Sequence, residues 1–412
     1  MKKFLYFQPE YVSRFKCDGA KCNARCCKGW NIFIDEKSYE QYSHIEPPEA
    51  AKEILSHIQF NSEQKIHSMM LKANGCCPFL TEKNLCRLQL EHGEEFLSVT
   101  CATYPHITQN LGKFFEHSLI LTCPVAEEMI LFAREPMKFE FVEVPEKIHS
   151  NGGKIKVPAA MKISDTAAEL MFENQVAMIS ILQERTLTID QRLIVLCFFA
   201  DKLEEIYSHG MDADEQRKLI AAYESKKFLA EQVPLMLQSV TFDAEKFIRL
   251  MMKMFEAFYG AKEIRLDDTS QRFLNAVINT LRLHPDKNNF ISLSEVTANY
   301  KSLAAARKKF LAEYSPFLEN YLVNELFLNL YPWKHHRRPT KSLSVFLISY
   351  KVFELLTFTA TQNNLSGKND LLRLVDWYIK DIEHAYRWKE KIFAYLEEHK
   401  DFFELMDTLL EL

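Results

Sequence analysis

Nine of the ten cysteines of this chain lie in its first third, and the rest of the chain contains only Cys197. A thiolate is a soft, charged ligand that binds zinc or iron strongly, and four thiolates close a tetrahedral site or hold an iron–sulfur cluster. Nine thiols therefore suffice for two four-cysteine centres with one cysteine left over. The candidate metal ligands are Cys17, Cys22, Cys26, Cys27, Cys76, Cys77, Cys86, Cys101 and Cys123.

Two pairs of these cysteines are adjacent in sequence, Cys26–Cys27 and Cys76–Cys77. Neighbouring side chains on an extended backbone point to opposite sides, so both members of a pair do not readily bind one ion. Either each pair straddles two centres, or one member binds metal while the other packs or does redox chemistry. The spacing matches neither the zinc-finger pairs nor the ferredoxin run. Disulfides and buried free thiols are the alternatives, and disulfides need an oxidising compartment.

Four stretches of the chain form a recognisable pattern. They are FKCDGAKCNARCCKGWNIFID (15–35), CCPFLTEKNLCRLQLEHGEEFLSVTCATYPHI (76–107), HSLILTCPVA (117–126) and LENYLVNELFLNLYPW (318–333). Together these stretches resemble the flagellin lysine N-methylase family, which belongs to a wider group of proteins with a zinc- or iron-chelating cysteine-cluster domain. His106 stands where the family pattern has an arginine after the Tyr-Pro pair.

The resemblance implies transfer of methyl groups from S-adenosylmethionine to lysine side chains of flagellin. It also implies an iron–sulfur cluster held by the N-terminal cysteines, a [4Fe–4S] cluster in the first instance, with zinc as the alternative. Two other classes of function fit parts of the sequence. A non-catalytic, metal-stabilised helical adaptor would bind metal but no methyl donor, and a thiol or electron-transfer protein would use the adjacent cysteine pairs.

The sequence contains no standard pocket for the methyl donor. The chain has 10 glycines, and none stands in a G-x-G-x-x-G arrangement after a strand, which excludes the common doubly wound methyltransferase fold. A cluster with an open iron site could itself bind the donor, as in enzymes with a C-x-x-x-C-x-x-C motif. Cys22 and Cys26 satisfy the first interval of that motif, but position 29 is a glycine. In the competing interpretation, the metal is purely structural.

Methylation of a lysine also requires the neutral amine, whose pKa in water is about 10.4. A site must therefore desolvate the amine or offer it a base or a hydrogen-bond acceptor. The candidates near the cysteines are Tyr104, His106 and Asp35. Tyr104 is preferred, because a ring beside a metal loop can both wall a pocket and accept a hydrogen bond from an ammonium group. The alternatives to catalytic roles are that Tyr104 is only packed within the fold and that His106 is only exposed.

The charge of the chain gives no sign of a polyanion partner. Lys and Arg total 51 and Asp and Glu total 56, for a net charge of −5, so no nucleic-acid partner is expected. The longest purely apolar run, Leu193–Ala200, is far shorter than the roughly 20 residues of a membrane helix. The N-terminus lacks the apolar core of a secretory signal. We therefore expect a cytoplasmic protein, with no membrane partner, in which thiols stay reduced.

The fold expected is mainly α, with an irregular N-terminal cysteine-cluster metal domain followed by a helical domain. The predicted limits are residues 1–135, an extended linker or small hairpin over 136–160, and residues 161–412. In the first part, short helices are expected between 35 and 66, and Cys123 is expected close to the start of a helix that follows Thr122. Phe139, Phe141 and Val144, and after Gly153 also Ile155 and Val157, alternate as in extended chain.

From residue 161 onwards the pattern is helical. Thr188 and Gln191 form a capping box for a helix that carries Cys197 on its apolar face, so this cysteine is expected to be buried and structural. Further helices are indicated at 247–259, 318–330 and 372–382. A basic island at 334–338, with Lys341, is a solvated loop or a contact for an acidic face of a protein substrate.

Overall fold

The protein folds into two compact units in which helices predominate, and the prediction of a mainly α fold is confirmed. The N-terminal unit comprises Met1–Met129 with Lys138–Asp165, and the helical unit comprises Ile130–Met137 with Thr166–Leu412. Residue 135, the predicted domain limit, thus lies in a short segment of the helical unit. The computed structural model describes residues 3–19, 22, 24–63, 65–145, 164–259, 268–283, 291–333, 338–383 and 386–412.

All strands of the described chain lie in the N-terminal unit, in two sheets. A four-stranded sheet has the order β5-β6-β1-β7, and a three-stranded sheet has the order β2-β4-β3. The strands are β1 (Lys3–Pro9), β2 (Phe33–Ile34), β3 (Ile58–Asn61), β4 (Ile66–Met69), β5 (His106–Asn110), β6 (Phe115–Leu119) and β7 (Phe139–Pro145).

In the four-stranded sheet, β1 pairs in parallel with β6 and antiparallel with β7. The ring centre of Phe7 lies 5.4 Å from that of Phe139 and 4.9 Å from that of Phe141. These aromatic pairs across the strands hold β7 in place. The residues around Phe139 are extended, as predicted, but they form a strand of the four-stranded sheet and not a linker or a separate hairpin. The second half of the predicted stretch, with Ile155 and Val157, lies outside the described residues.

Short helices connect these strands, as predicted between residues 35 and 66. Asp35 caps α2, and Pro48 opens α3 at a position where a missing N–H costs nothing. Helix α6 begins at Pro124, directly after Cys123, which confirms that prediction as well. The helices are α1 (Glu10–Arg14), α2 (Glu36–Ser43), α3 (Pro48–Ser56), α4 (Arg87–His92), α5 (Val99–Thr103) and α6 (Pro124–Leu131).

The N-terminal unit is more regular than the irregular domain that the sequence predicts. The smaller sheet was missed because β2, β3 and β4 have only two, four and four residues, too few for an alternating pattern to stand out. The larger sheet was missed because β1 pairs with β6 and β7, which are distant from it in sequence. The smaller sheet and helices α2 to α4 enclose an apolar core that includes Ile34, Tyr42, Phe79 and Leu88. The polypeptide itself thus supplies a core in this part of the chain.

The helical unit contains the long helices of the protein. Thr188 and Gln191 form the predicted capping box at the start of α8, and Cys197 in that helix is fully buried, as predicted. The helices are α7 (Asp165–Leu182), α8 (Ile189–Ser208), α9 (Ala213–Glu224), α10 (Lys226–Gln238), α11 (Ala244–Tyr259), α12 (Asp268–Leu281), α13 (Leu293–Ser302), α14 (Ala304–Leu328), α15 (Pro339–Gln362), α16 (Lys368–Trp377), α17 (Tyr386–Glu398) and α18 (Phe402–Leu409).

Helices α14 and α15 form the centre of this unit. Residues 317–327 of α14 and 342–360 of α15 are buried without interruption. By length and composition alone, α15 could cross a membrane, but its apolar window is 100% buried by protein. The structure confirms the helices predicted at 247–259, 318–330 and 372–382. The second of these belongs to α14 and ends at Leu328, and the third continues as a π-helix over Tyr378–Glu383.

The predicted basic island falls mostly outside the described residues, since only Arg338 and Lys341 are described. The Nη2 of Arg338 lies 3.5 Å from the Oε1 of Glu204, and the Nζ of Lys341 lies 3.3 Å from the Oε1 of Glu397. These two cations therefore have acidic neighbours within their own unit. A contact of the island with a protein substrate stays a prediction.

Candidate functional site

Four cysteines of the N-terminal unit pack into or against its apolar core, and we call them the core thiols: Cys27, Cys77, Cys86 and Cys101. They come from separate segments of the chain. The N–H of Cys77 donates to the carbonyl of Cys27 at 2.8 Å, and Cys86 forms an isolated bridge with Leu80. Cys101 lies in α5, whose first turn is capped by Ser98. Folding of the backbone thus gathers four thiols around one core.

The core thiols are difficult to ionise in this environment. Burial, and then the negative charges of neighbouring thiolates, raise the pKa of Cys77 to about 11 and that of Cys101 to about 12. The pKa of Cys27 is also raised, first by its contact with Cys26 and then by burial. A metal ion that binds these thiols would therefore have to displace their protons.

A second group of cysteines, which we call the rim thiols, consists of Cys17, Cys22, Cys26 and Cys123. Burial and the charges of Cys22 and Cys26 raise the pKa of Cys17, and burial with the charge of Cys22 raises that of Cys123 to about 12. Cys17 is therefore near Cys22 and Cys26, and Cys123 is near Cys22. Cys17 is exposed, whereas every core thiol is at least partly buried. Cys26 lies between the groups, with its Sγ 3.9 Å from that of Cys27.

Cys76 belongs to neither group. Its backbone pairs with Lys28, and its Sγ lies 4.0 Å from the carbonyl oxygen of Asn74. It is not packed against the apolar core that receives its neighbour Cys77. The two members of this adjacent pair therefore lie in different surroundings, as the geometry of an extended chain requires.

The donor set fits a thiophilic metal, because thiolates in groups of four are the usual ligands of zinc and of iron–sulfur clusters. In the described part of the chain, no three Cys, His, Asp or Glu side chains lie close enough together to hold one ion. Coordination would therefore require the thiols of a group to move together. The assignment of all nine cysteines as ligands stays a prediction.

Tyr104 is the predicted site residue that lies beside the rim thiols. It is the residue directly after α5. Its hydroxyl is 3.0 Å from the hydroxyl of Thr122, and its ring centre is 5.8 Å from that of Trp30. Burial, and the charges of Cys123, Cys26 and Glu127, raise the pKa of the Tyr104 hydroxyl. Tyr104 therefore stays protonated at neutral pH and offers both a hydroxyl group and an aromatic face.

Sequence reasoning missed the residues around Tyr104. Glu127 is fully buried one helical turn after Cys123, and its charge reaches both the Cys123 thiol and the Tyr104 hydroxyl. The indole N–H of Trp30 donates to the carbonyl of Cys26 at 2.7 Å. One sequence signal could have pointed to Glu127. It lies four residues after Cys123, a spacing that places two residues on one face of a helix.

Asp35 is engaged in holding two helices in place. Its carboxylate accepts hydrogen bonds from the N–H of Ser38, at 3.1 Å, and of Val99, at 2.9 Å, and from the Ser38 hydroxyl at 2.8 Å. Burial alone would raise its pKa, but these hydrogen bonds outweigh burial and lower the pKa. Asp35 thus connects the start of α2 to the start of α5, and a role towards an amine stays a prediction.

His106 lies on strand β5 in a pair with His117. The Nδ1 of His106 is 3.0 Å from the Nε2 of His117, whose Nδ1 is 2.7 Å from the hydroxyl of Thr108. The ring of His106 also meets the edge of Phe15, at 5.3 Å between ring centres. The side chain therefore belongs to a sheet surface of stacked rings, and its predicted catalytic role is untested.

The family model that matches the chain is the FliB lysine N-methylase C-terminal domain, over residues 175–410. This match covers more than half of the chain and lies in the helical unit. It includes the signature stretch of helix α14.

Curated relatives are similar over a shorter length. A lysine-N-methylase of Salmonella typhimurium is 33% identical over 134 residues, which are 32% of this chain and 33% of that protein. A lysine-N-methylase of Salmonella choleraesuis is 32% identical over an equal length. The flagellar biosynthetic protein FliU of Salmonella muenchen is 31% identical over 134 residues, or 79% of its length. The chain thus matches about a third of each lysine-N-methylase, and no solved structure matches it.

Proposed function

Because the chain belongs to the FliB lysine N-methylase family, we propose that it is a protein-lysine N-methyltransferase that acts on flagellin with S-adenosylmethionine as methyl donor. The observation that carries the proposal is the family match over residues 175–410. The relatives named lysine-N-methylase and flagellar biosynthetic protein support the reaction and the kind of substrate. A cytoplasmic location is part of the proposal, since the cysteines are all free thiols.

The reaction is a displacement at carbon. The neutral lysine nitrogen attacks the methyl group of the sulfonium donor, a C–N bond forms, and the C–S bond breaks. The sulfur keeps the electron pair of that bond and leaves as neutral S-adenosylhomocysteine. The methylated nitrogen, now positively charged, then releases a proton to water or to a protein group. The protein must therefore bind the amine in its neutral form and align it with the methyl group.

Tyr104 is suited to orient the amine. Its hydroxyl is held by Thr122 at 3.0 Å and stays protonated, so its oxygen can accept a hydrogen bond from the lysine nitrogen. The rings of Tyr104 and Trp30 present aromatic surface, which stabilises a developing positive charge by cation–π attraction. Together these groups favour the charge that forms on nitrogen during transfer.

The N-terminal thiols are proposed to hold the metal cofactor, an iron–sulfur cluster or zinc. When bound, a cluster with one iron not ligated by cysteine would supply a site for the amino and carboxylate groups of the donor. Three of the four rim thiols would suffice for that role, since one iron then has no cysteine ligand, and Tyr104 lies beside this group. The core thiols would hold metal within the apolar core.

The experiment that tests the proposed function is a methylation assay on protein purified without oxygen. Flagellin is incubated with the protein and S-adenosylmethionine carrying a labelled methyl group, and modified lysines are located by mass spectrometry. Flagellin with acetylated lysines is the matched control substrate. We expect label on lysines of unmodified flagellin and none on the control. Binding of metal and donor without any label in flagellin would overturn the proposed activity.

A further inference from the structure

The residues that lead into strand β5 are tied to the residues that follow strand β6 by two hydrogen bonds. The Tyr104 hydroxyl lies 3.0 Å from the hydroxyl of Thr122. The N–H of Ile120 donates to the carbonyl oxygen of Pro105 at 2.9 Å. Tyr104, which is proposed to orient the substrate amine, is therefore held at the end where β5 and β6 meet.

A pair of histidines joins the same end of these two strands. The Nδ1 of His106, the first residue of β5, is 3.0 Å from the Nε2 of His117 on β6, and the two rings stack with their centres 5.0 Å apart. The Nδ1 of His117 is 2.7 Å from the hydroxyl of Thr108. The histidine pair thus adds a third connection beside the two that hold Tyr104 and Pro105.

The side chains that surround this pair are largely aromatic. His117 is 7% exposed, and the ring of Tyr6 on β1 meets it nearly at a right angle, with 5.3 Å between ring centres. Phe15 meets the His106 ring in the same way, also at 5.3 Å. Burial raises the pKa of Tyr6, so this titratable neighbour stays uncharged at neutral and acid pH. Glu116 precedes His117 on β6 and projects from the opposite face, since side chains alternate along a strand.

We propose that the His106–His117 pair is an acid-sensitive clip that positions Tyr104, and that a second added proton opens it. In the neutral pair, one ring donates an N–H to the bare nitrogen of the other, and one added proton leaves this N–H···N bond in place. A second proton puts N–H groups on both facing nitrogens and a positive charge on each ring. These charges repel, and the burial of His117 removes water that would screen them.

The clip makes the position of Tyr104 depend on pH. A free imidazole gains its proton near pH 6.5. In more acid solution, the open form takes up a second proton that the closed pair excludes, so acid favours the open form. Both histidines are positioning residues, because they act through Tyr104. The slowing of methyl transfer on opening rests on the proposed function, whereas opening itself does not.

Amide hydrogen exchange at Ile120 tests the clip without a methylation assay. This N–H donates to Pro105 beside the histidine pair, and its protection factor is measured at about pH 7 and about pH 5 by NMR of protein labelled at isoleucine. We expect the protection factor of the unaltered chain to fall about tenfold on acidification, the effect of losing one hydrogen bond of typical strength. Unchanged protection overturns the proposal.

Matched variants separate the clip from a general effect of acid. Glutamine still forms a hydrogen bond with an imidazole but does not titrate, so His106→Gln and His117→Gln should each keep Ile120 protected at both pH values. The control is His44→Gln, an exposed histidine of the same unit whose ring contacts the Glu40 carbonyl. It should show the same fall as the unaltered chain. Acid loss that persists in a folded glutamine variant of the pair overturns the proposal, and either variant suffices if the other fails to fold.

Methyl transfer gives a second readout that a merely structural role would not change. Acid also protonates the substrate lysine, so the ratio of kcat at neutral pH to kcat at acid pH is compared between proteins. We expect this ratio to be about tenfold smaller in the glutamine variants of the pair than in the unaltered chain. Equal ratios in the presence of an opening clip disprove the positioning of Tyr104. An opening clip without methylation at any pH contradicts the proposed function alone.

Discussion

The two units of this protein bury their polar groups in different ways. The helical unit buries charges in pairs: Arg192 lies 2.7 Å from Glu319, and Lys351 lies 2.6 Å from Asp190, with each of these side chains at most 3% exposed. The N-terminal unit instead places core thiols of raised pKa around its apolar residues. In a buried charge pair, each charge is neutralised by its partner in the protein. A group of buried thiols has no such partner, and an added metal ion would stabilise it.

The two units should therefore be stabilised in different ways. The helical unit has two long helices buried over many residues, so packing of the chain accounts for its stability. The N-terminal unit has short strands and helices, and loops carry most of its cysteines. Stability in that unit should therefore depend on metal, and stability in the helical unit should not.

Metal removal tests this contrast most strongly. Structural zinc contributes roughly 10–16 kcal/mol to folding in peptides that have no core without it. The N-terminal unit has an apolar core of its own, so we expect chelation to lower the protection of its amides without abolishing it. Amides of α14 and α15 should keep their protection. Hydrogen exchange read by mass spectrometry, before and after chelation, measures both units in one sample. Equal loss in the two units would show that the contrast is false.

The substitution Lys351→Met breaks a buried charge pair in the helical unit. It leaves Asp190 and Glu354, which accept from Lys351 at 2.6 and 2.8 Å, without their cation. We expect a loss of about 3–5 kcal/mol in the free energy of unfolding of that unit, measured by urea titration. The matched control is Lys202→Met, whose ion pair with Glu205 is more than half exposed on both sides. The control should change stability by less than about 0.5 kcal/mol, and an equal effect of both would refute the role of burial.

The substitution Tyr104→Phe removes the proposed hydrogen bond to the substrate amine but keeps the ring. We expect kcat for methyl transfer to fall about 10²-fold, with little change in KM for the donor and unchanged metal content. Tyr223→Phe in the helical unit is the control, since it removes a buried hydroxyl far from the thiols in sequence. A Tyr104→Phe protein with full kcat would remove Tyr104 from the site.

The substitution Asp35→Asn tests a local element within the N-terminal unit. The capping hydrogen bonds weaken, and we expect a loss of about 1 kcal/mol. Because the folded protein lowers the pKa of Asp35, the carboxylate stabilises the fold above its ordinary pKa, and that contribution is lost as pH falls through the lowered value. The variant should therefore lose less stability on acidification than the unaltered chain. Thermal unfolding between neutral and acid pH measures this, and parallel curves would argue against it.

The sequence by itself determined the features that depend on local chemistry. The i, i+3 and i, i+4 spacing of apolar residues, and caps such as Thr188 with Gln191, act within one helix, so they predicted the helices and the burial of Cys197. The clustering of nine cysteines also identified the thiol-rich unit. Tyr104, chosen because it follows Cys101 closely in sequence, lies near Cys123 and Cys26, and its role stays a prediction.

The tertiary structure alone decided how the thiols are divided. Strands β2 to β4 are too short to be read from sequence, yet pairing within them and between residues 27–29 and 75–77 brings Cys27 to Cys77 and leaves Cys76 outside the core. The burial of Glu127 near Tyr104 also depends on contacts between segments distant in sequence. Such contacts form only when the chain folds, because the free energy that selects them comes from packing among many residues and not from any one local pattern.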